Sequence, residues 1–317
     1  MKPAILYFLA AMATLLQVPV SADSSGREWL ERMSAAAQSL NYTGTFVYQR
    51  QGLMDVMQIV HVSDEEGERE RLFSLTGPKR EVLRDNQAVT CIMDDQHSVL
   101  VSKARPRATL PAGFPSELSE LEQHYIFKVG GEDRVAGLDC RQVEVKPRDR
   151  FRYGRTLCVH EDTYLLLRSK LIDGDGVPIE QVLFTSVDFP DSIPEKELLP
   201  GLSGAGFTWK REPEHRDQPR DSAWKVLQVP PGFMLTDHRW HRLSEHQEGV
   251  EHRMYSDGLA SVSVYIEKSG QEDDYSGVAS RGGLNAYGTM TNGYHVTVVG
   301  EVPLQTVELI ARSVSAR

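Results

Sequence analysis

The sequence predicts a mainly β protein of the α+β kind, with one large antiparallel sheet carrying helices and then a small antiparallel sheet with one packed helix. Three observations predict it. The hydrophobic period changes from helical to two at Asn41. Turn signals then recur between short alternating runs as far as Phe189. A second, shorter series of such runs begins near Trp224 and closes in an amphipathic segment after Pro303. A chain of 317 residues holds about two ordinary domains, because single cores stop growing near 250 to 300 residues. Its 40% apolar content supports a sizeable core, while 45 acidic against 35 basic residues leave a net charge of −10. That balance does not supply a phosphate-neutralising surface and excludes nucleic-acid binding as the main role.

The first 22 residues have the parts of a secretory signal: Lys2, an apolar run from Ala4 to Val18, and Val20-Ser21-Ala22 before Asp23. An uncleaved anchor is the alternative, but the run is short of the roughly 20 residues that a spanning helix needs. No Cys follows for lipid attachment and no later stretch is apolar enough to span, so the mature product is expected to be soluble and exported. Ser25-Gly26-Arg27-Glu28 fits a capping box, and Trp29, Met33, Ala36 and Leu40 then recur at helical spacing. From Asn41 the strands begin: Tyr42, Gly44, Phe46 and Tyr48 share one face, and Gln51-Gly52 turns the chain into Met54 to Val62. Glu68 to Leu75 follows, and Gly77-Pro78 breaks before Arg80 to Arg84.

The stretch from Lys103 to Pro115 is rich in Pro and basic residues. It reads as a crossover or a functional loop ahead of a short helix from Ser116 to about His124. Further strands are expected over Tyr125 to Val129, Arg134 to Ala136, Cys140 to Lys146, Phe151 to His160, Tyr164 to Ile172 and Pro178 to Phe189. A turn at Pro147 to Arg150 sets Cys140 opposite Cys158, compatible with a cross-strand disulfide or with two small buried side chains; Cys91 reads as a core thiol. Residues 191–223 have linker composition, which divides the chain into 1–22, 23–190, 191–223 and 224–317. In the last part hairpins turn at Tyr255-Ser256-Asp257-Gly258 and Thr291-Asn292-Gly293, and Pro303 opens a helix with Leu304, Val307 and Ile310 on one face.

No catalytic motif emerges. Gly201-Leu202-Ser203-Gly204-Ala205 lacks the last glycine of a nucleophile elbow, and no Walker loop or dinucleotide fingerprint occurs. Asp173-Gly174-Asp175-Gly176 reads as a hairpin turn, since Val177 and Pro178 stand where a calcium loop needs oxygens. His238, His241, His246 and His252 lie close together, and His238 with His241 would share a helical face. Arg239 and Arg242 add positive charge, no Asp or Cys stands at ligand spacing, and the cluster reads as a solvated face or pH-sensitive surface. No metal and no cofactor are expected.

Several segments together resemble the periplasmic RseB/MucB regulators of the envelope-stress sigma factor. They are Asn41-Tyr42-Thr43-Gly44-Thr45-Phe46-Val47-Tyr48, Gly77-Pro78-Lys79-Arg80-Glu81-Val82, Arg152-Tyr153-Gly154-Arg155 and Leu165-Leu166-Leu167-Arg168-Ser169. Pro230-Pro231-Gly232-Phe233, Tyr255-Ser256-Asp257-Gly258-Leu259 and Val298-Val299-Gly300-Glu301-Val302-Pro303 continue the series. None is specific alone, but their order and spacing span the mature chain. The resemblance implies a non-enzymatic protein that binds the periplasmic region of a membrane-spanning anti-sigma factor, of RseA/MucA type, and shields it from regulated proteolysis. It also implies a larger domain similar to the carriers LolA and LolB, a curved, unclosed half-barrel whose cavity takes lipid or lipopolysaccharide and so releases the partner.

On that reading Tyr42, Phe46, Tyr48, Met54, Val56, Leu72 and Phe73 are candidates to line the lipid cavity, each also suited to plain core packing. Arg80, Arg84 and the exposed-looking pair Arg239-Trp240 are candidate partner contacts, and the partner is expected in the groove between domains. A homodimer through exposed sheet edges is compatible with the strands but marked by no residue. The alternative is a periplasmic lipid or lipoprotein carrier of LolA type. Against it stands a second domain that a carrier does not need. An envelope enzyme of unrecognised type is the remaining class.

Overall fold

The structure is a computed structural model that describes residues 25–104, 114, 118–211, 222–241, 249–269 and 276–317. The signal segment, most of the Pro-rich loop, and His246 and Arg242 of the histidine cluster lie outside the described residues. Helix α1 (Gly26–Ser39) is followed by β1 (Tyr42–Arg50), β2 (Leu53–Asp64), β3 (Gly67–Ser74), β4 (Arg80–Arg84), β5 (Ala88–Met93) and β6 (Ser98–Lys103). After a 3-10 turn at Leu121–Gln123 come β7 (Tyr125–Val135), β8 (Leu138–Pro147), β9 (Gly154–His160), β10 (Leu166–Ile172) and β11 (Pro178–Asp188). Strand β12 (Thr208–Arg211) precedes β13 (Trp224–Val226), β14 (Met234–His241), β15 (Val250–Ser256) and β16 (Ser261–Lys268). The chain closes with β17 (Gly277–Arg281), β18 (Leu284–Thr291), β19 (Tyr294–Gly300), α2 (Leu304–Arg312) and β20 (Val314–Ala316).

The strands form a large, curved open sheet in the order β12-β6-β5-β4-β3-β2-β1-β11-β10-β9-β8-β7, a six-stranded sheet β14-β15-β16-β19-β18-β17, and the pair β13-β20. This is the mostly β architecture that the period change predicts. The turn chemistry also agrees. Gln51 and Gly52 both take positive φ (37° and 75°), as do Asn292 and Gly293 (50° and 76°), which suits the right-handed twist of two-residue hairpins. Ser25 caps α1 by accepting the Glu28 N–H at 3.2 Å, and Leu30, Met33, Ala36 and Ala37 are its buried face.

One line of ladder partners, Tyr48–Val182–Ser169–Leu157–Val143, runs across the large sheet and fixes its faces. Leu157 and Val143 pack with Leu30 and Met33, so α1 lies on the face that carries Tyr42, Phe46 and Tyr48. In the small sheet Val262, Val264, Val296 and Val298 pack against Val307 and Ile310 of α2.

Three sequence expectations need correction. The two short strands expected within 125–136 are one strand, β7, whose register shifts between Val129 and Glu132 where Gly130 and Gly131 admit an irregularity. Cys140 and Cys158 are disulfide-bonded, but Cys140 faces His160 and Cys158 faces Gln142, so the bridge joins offset rather than opposed positions. The stretch of linker composition is structured up to Arg211. Ile193 and Leu198 cover Val60 and Val62, the Gly201 and Leu202 N–H groups donate to Glu81 at 3.1 and 3.0 Å, and β12 pairs parallel with β6. Polar composition signalled an exposed chain there. What holds it is a nearly buried carboxylate, satisfied by two backbone donors and by Arg71 at 2.6 Å.

Candidate functional site

The two sheets meet around Arg152, a side chain wholly excluded from solvent. It stands in the turn before β9, where Phe151 N–H donates to Asp149 and orders the bend. Its guanidinium pairs with Asp257 at 3.1 Å and with Asp149 at 3.4 Å, and it donates to the Pro231 carbonyl. The Tyr125 and Phe233 rings lie 5.5 and 5.1 Å from it, one from each sheet, and the Tyr125 hydroxyl donates to Asp257 at 3.0 Å. Burial beside the Asp257 carboxylate pushes the Tyr125 hydroxyl well above its usual value and keeps it a donor.

The local sequence builds each partner. Asp257 is held by accepting the Leu259 and Ala260 N–H groups at 2.9 and 2.7 Å. Pro230-Pro231-Gly232-Phe233 closes a turn by Phe233 N–H to the Pro230 carbonyl at 3.1 Å, with Gly232 at φ +84°. A Cβ on Gly232 would stand 2.2 Å from His124 Nε2, so glycine also admits the close approach of the two sheets.

A second polar contact lies along β9 and β11. Glu180 accepts the Tyr48 hydroxyl at 2.5 Å and the Gly283 N–H at 2.7 Å, and Arg155 pairs with Glu301 at 2.7 Å. Asn285 donates to the Tyr153 hydroxyl at 3.0 Å, and the Thr306 hydroxyl donates to the Phe151 carbonyl at 2.7 Å. Burial, with Glu180 nearby, raises the Glu301 carboxyl above its ordinary value despite Arg155. Burial and the bond to Glu180 raise the Tyr48 hydroxyl. The segments Arg152 to Arg155, Pro230 to Phe233, Tyr255 to Leu259 and Val298 to Pro303, scattered in sequence, therefore converge on one contact.

The expected cavity residues divide by face. Tyr42, Phe46, Tyr48 and Leu72 share the face beneath α1, whereas Met54, Val56 and Phe73 lie on the opposite one, because Tyr48 pairs with Asp55 and Ile59 with Leu72. Met54 is exposed, and the Arg71 guanidinium lies over the Phe73 ring. The strand residues that do join Tyr42 and Phe46 are Ile59, Val182 and Phe184, with Met57 beside them. Alternation from a known turn, counted through Gln51-Gly52, was the signal that identifies Met57 and Ile59. Tyr42 and Phe46 are packed core side chains in this structure, with Phe46 and Phe184 rings 5.7 Å apart, and do not line an open trough.

Among the expected partner contacts, Arg80 is exposed and 4.0 Å from Asp95, and Arg84 is half-buried opposite Glu70. Arg239 and Trp240 are half-buried in an edge strand, not exposed, and Arg239 pairs with Asp237. His238 and His241 also lie on that strand and not on a helix, so the helical spacing does not apply. His238 instead meets Glu251 at 2.8 Å, and His252 stacks on Tyr265.

The described residues thus form an open sheet locked to a smaller one around a buried guanidinium. The chain belongs to the MucB/RseB family: residues 25–202 match the MucB/RseB N-terminal domain and residues 218–315 the MucB/RseB C-terminal domain. It is 32% identical to the sigma factor AlgU regulatory protein MucB of Pseudomonas aeruginosa over 96% of each chain. It is 24% identical to the sigma-E factor regulatory protein RseB of Haemophilus influenzae over 100% of each. Among solved structures it is similar to MucB in complex with MucA(peri), with TM-score 0.74 and 31% identity over 92% of this chain and 99% of that one. The match to MucB alone has TM-score 0.64 at the same identity, over 92% and 98%. The family consists of regulatory binding proteins, not enzymes.

Proposed function

We propose that this chain is a periplasmic regulator that binds the periplasmic region of a membrane anti-sigma factor of RseA/MucA type. By occluding that region from regulated proteolysis it keeps the envelope-stress sigma factor inactive. The observation that carries the reading is end-to-end kinship with MucB, which is known in complex with MucA(peri). The organisation follows: a signal segment over 1–22, a larger domain over 23–190, a connection over 191–223 and a partner-binding domain over 224–317. The partner lies between the two domains in this reading, outside the closed Arg152–Asp257 contact, with Arg80 as an exposed candidate contact.

Lipid or lipopolysaccharide releases the partner in this reading. An acyl chain enters between α1 and the sheet face of Val143 and Leu157, displacing Leu30 and Met33. A nearly complete switch from 1:99 to 99:1 needs a differential affinity of roughly 5.5 kcal/mol. The extensive polar contact between the sheets supports a regulator over a plain carrier, because a carrier has no use for a second domain held in fixed orientation. Calorimetric titration of the mature chain with the periplasmic region of the host's anti-sigma factor tests this. The reading expects a 1:1 complex that added lipopolysaccharide dissociates, and the absence of any complex contradicts it.

A further inference from the structure

We propose that His61, Glu68 and Glu70 bind one divalent transition-metal ion of the zinc type at the end of α1. The three residues each bring one ligand atom within 4.8 Å of the others. His61 and Glu70 face each other across β2 and β3, and Glu68 pairs with the neighbouring Ser63. The imidazole is wholly buried, and its Nδ1 lies 2.7 Å from the Leu40 carbonyl. A carbonyl oxygen only accepts, so Nδ1 carries the hydrogen and Nε2 is left to face the Glu68 carboxylate at 3.3 Å. A bare lone pair against a carboxylate is unfavourable, and the contact calls for a proton, on Nε2 or on the partly exposed Glu68 carboxyl, or for a metal ion.

Distance favours the metal. An imidazolium donating to a carboxylate closes to about 2.7–2.9 Å. Two ligand atoms each about 2.0–2.2 Å from a tetrahedral ion stand roughly 3.3–3.5 Å apart. One neutral imidazole and two carboxylates bring two negative charges to a divalent ion, with Arg84 opposite Glu70 offsetting one of them. The Nδ1–H bond to a backbone carbonyl is the outer contact that orients a ligating histidine. The Tyr42 ring, 5.0 Å from His61 and 24° from parallel, fixes the imidazole plane. The ion ties the C-terminal end of α1, through Leu40, to β2 and β3.

Zn²⁺ titrated calorimetrically into the chelator-treated mature chain is expected to bind at one equivalent and to raise the thermal midpoint. Co²⁺ in its place is expected to give visible absorption of a low-coordinate site. Glu68→Gln, at a partly exposed position that leaves the core intact, is expected to weaken binding at least tenfold, and His61→Gln to abolish it. The proposal is overturned by no saturable binding, by unchanged affinity in Glu68→Gln, or by binding that disappears when His238, His241 and His246 are replaced instead. Nitrogen NMR showing His61 doubly protonated with Zn²⁺ in excess overturns it as well.

Discussion

Arg152 and Asp257 lie 105 positions apart in sequence and 3.1 Å apart in space, both side chains wholly excluded from water, one on each side of the junction between the two sheets. A buried pair contributes little net stability against an apolar substitute, yet removing one partner strands the other charge at about 3–5 kcal/mol. Arg152→Met is therefore expected to destabilise the chain by about 3–5 kcal/mol in urea unfolding, and Arg152→Met with Asp257→Leu to recover part of it. A single variant as stable as wild type contradicts the assignment of this pair as the junction.

Gly232 stands at φ +84° and admits His124 where a Cβ would intrude. Gly232→Ala is expected to loosen the junction and raise the small-angle scattering radius of gyration while far-ultraviolet circular dichroism stays unchanged. An unchanged radius argues against rigid coupling through this turn.

The Cys140–Cys158 bridge closes a loop with a sequence separation of 18. Loop-closure entropy for such a length stabilises by about 3 kcal/mol. Cys140→Ala with Cys158→Ala, or reduction, is expected to lower unfolding free energy by about that amount. Equal stability with and without reductant would refute it.

Burial raises the Glu301 carboxyl above its ordinary 4.5, so the folded chain holds that proton more tightly than the unfolded chain. Between 4.5 and the raised value, stability falls as pH rises, because the unfolded state has already released the proton. Glu301→Gln is expected to flatten this slope in thermal midpoints taken across the acidic range. A variant with the wild-type slope assigns the titration elsewhere.

Glu81 holds the start of the connection through Gly201 and Leu202. Glu81→Ala is expected to open new proteolytic cuts within 191–211 under conditions where the wild type is resistant. Protection equal to wild type places the restraint in Leu198 and β12 instead.

How much of this was legible in the sequence follows from the range of each signal. Strands with period two and turns such as Gln51-Gly52 are local and were readable, as was the α1 cap at Ser25. Face assignment was not, because Met54 and Phe73 satisfy apolar alternation as well as Met57 and Leu72, and only ladder register separates them. Thr208 to Arg211 is too short to show a period, and its parallel pairing with β6 depends on residues more than a hundred positions upstream. The segments that carry the family resemblance were visible as separate strings. That four of them meet around Arg152, Tyr153 and Arg155 is a property of the folded chain.

The most direct test of the account is protease protection. The periplasmic region of the host's anti-sigma factor is incubated with its regulated protease, with and without the mature chain, and then with lipopolysaccharide added. The account predicts cleavage slowed by the chain and restored by lipopolysaccharide. Cleavage at the same rate in all three conditions would contradict it.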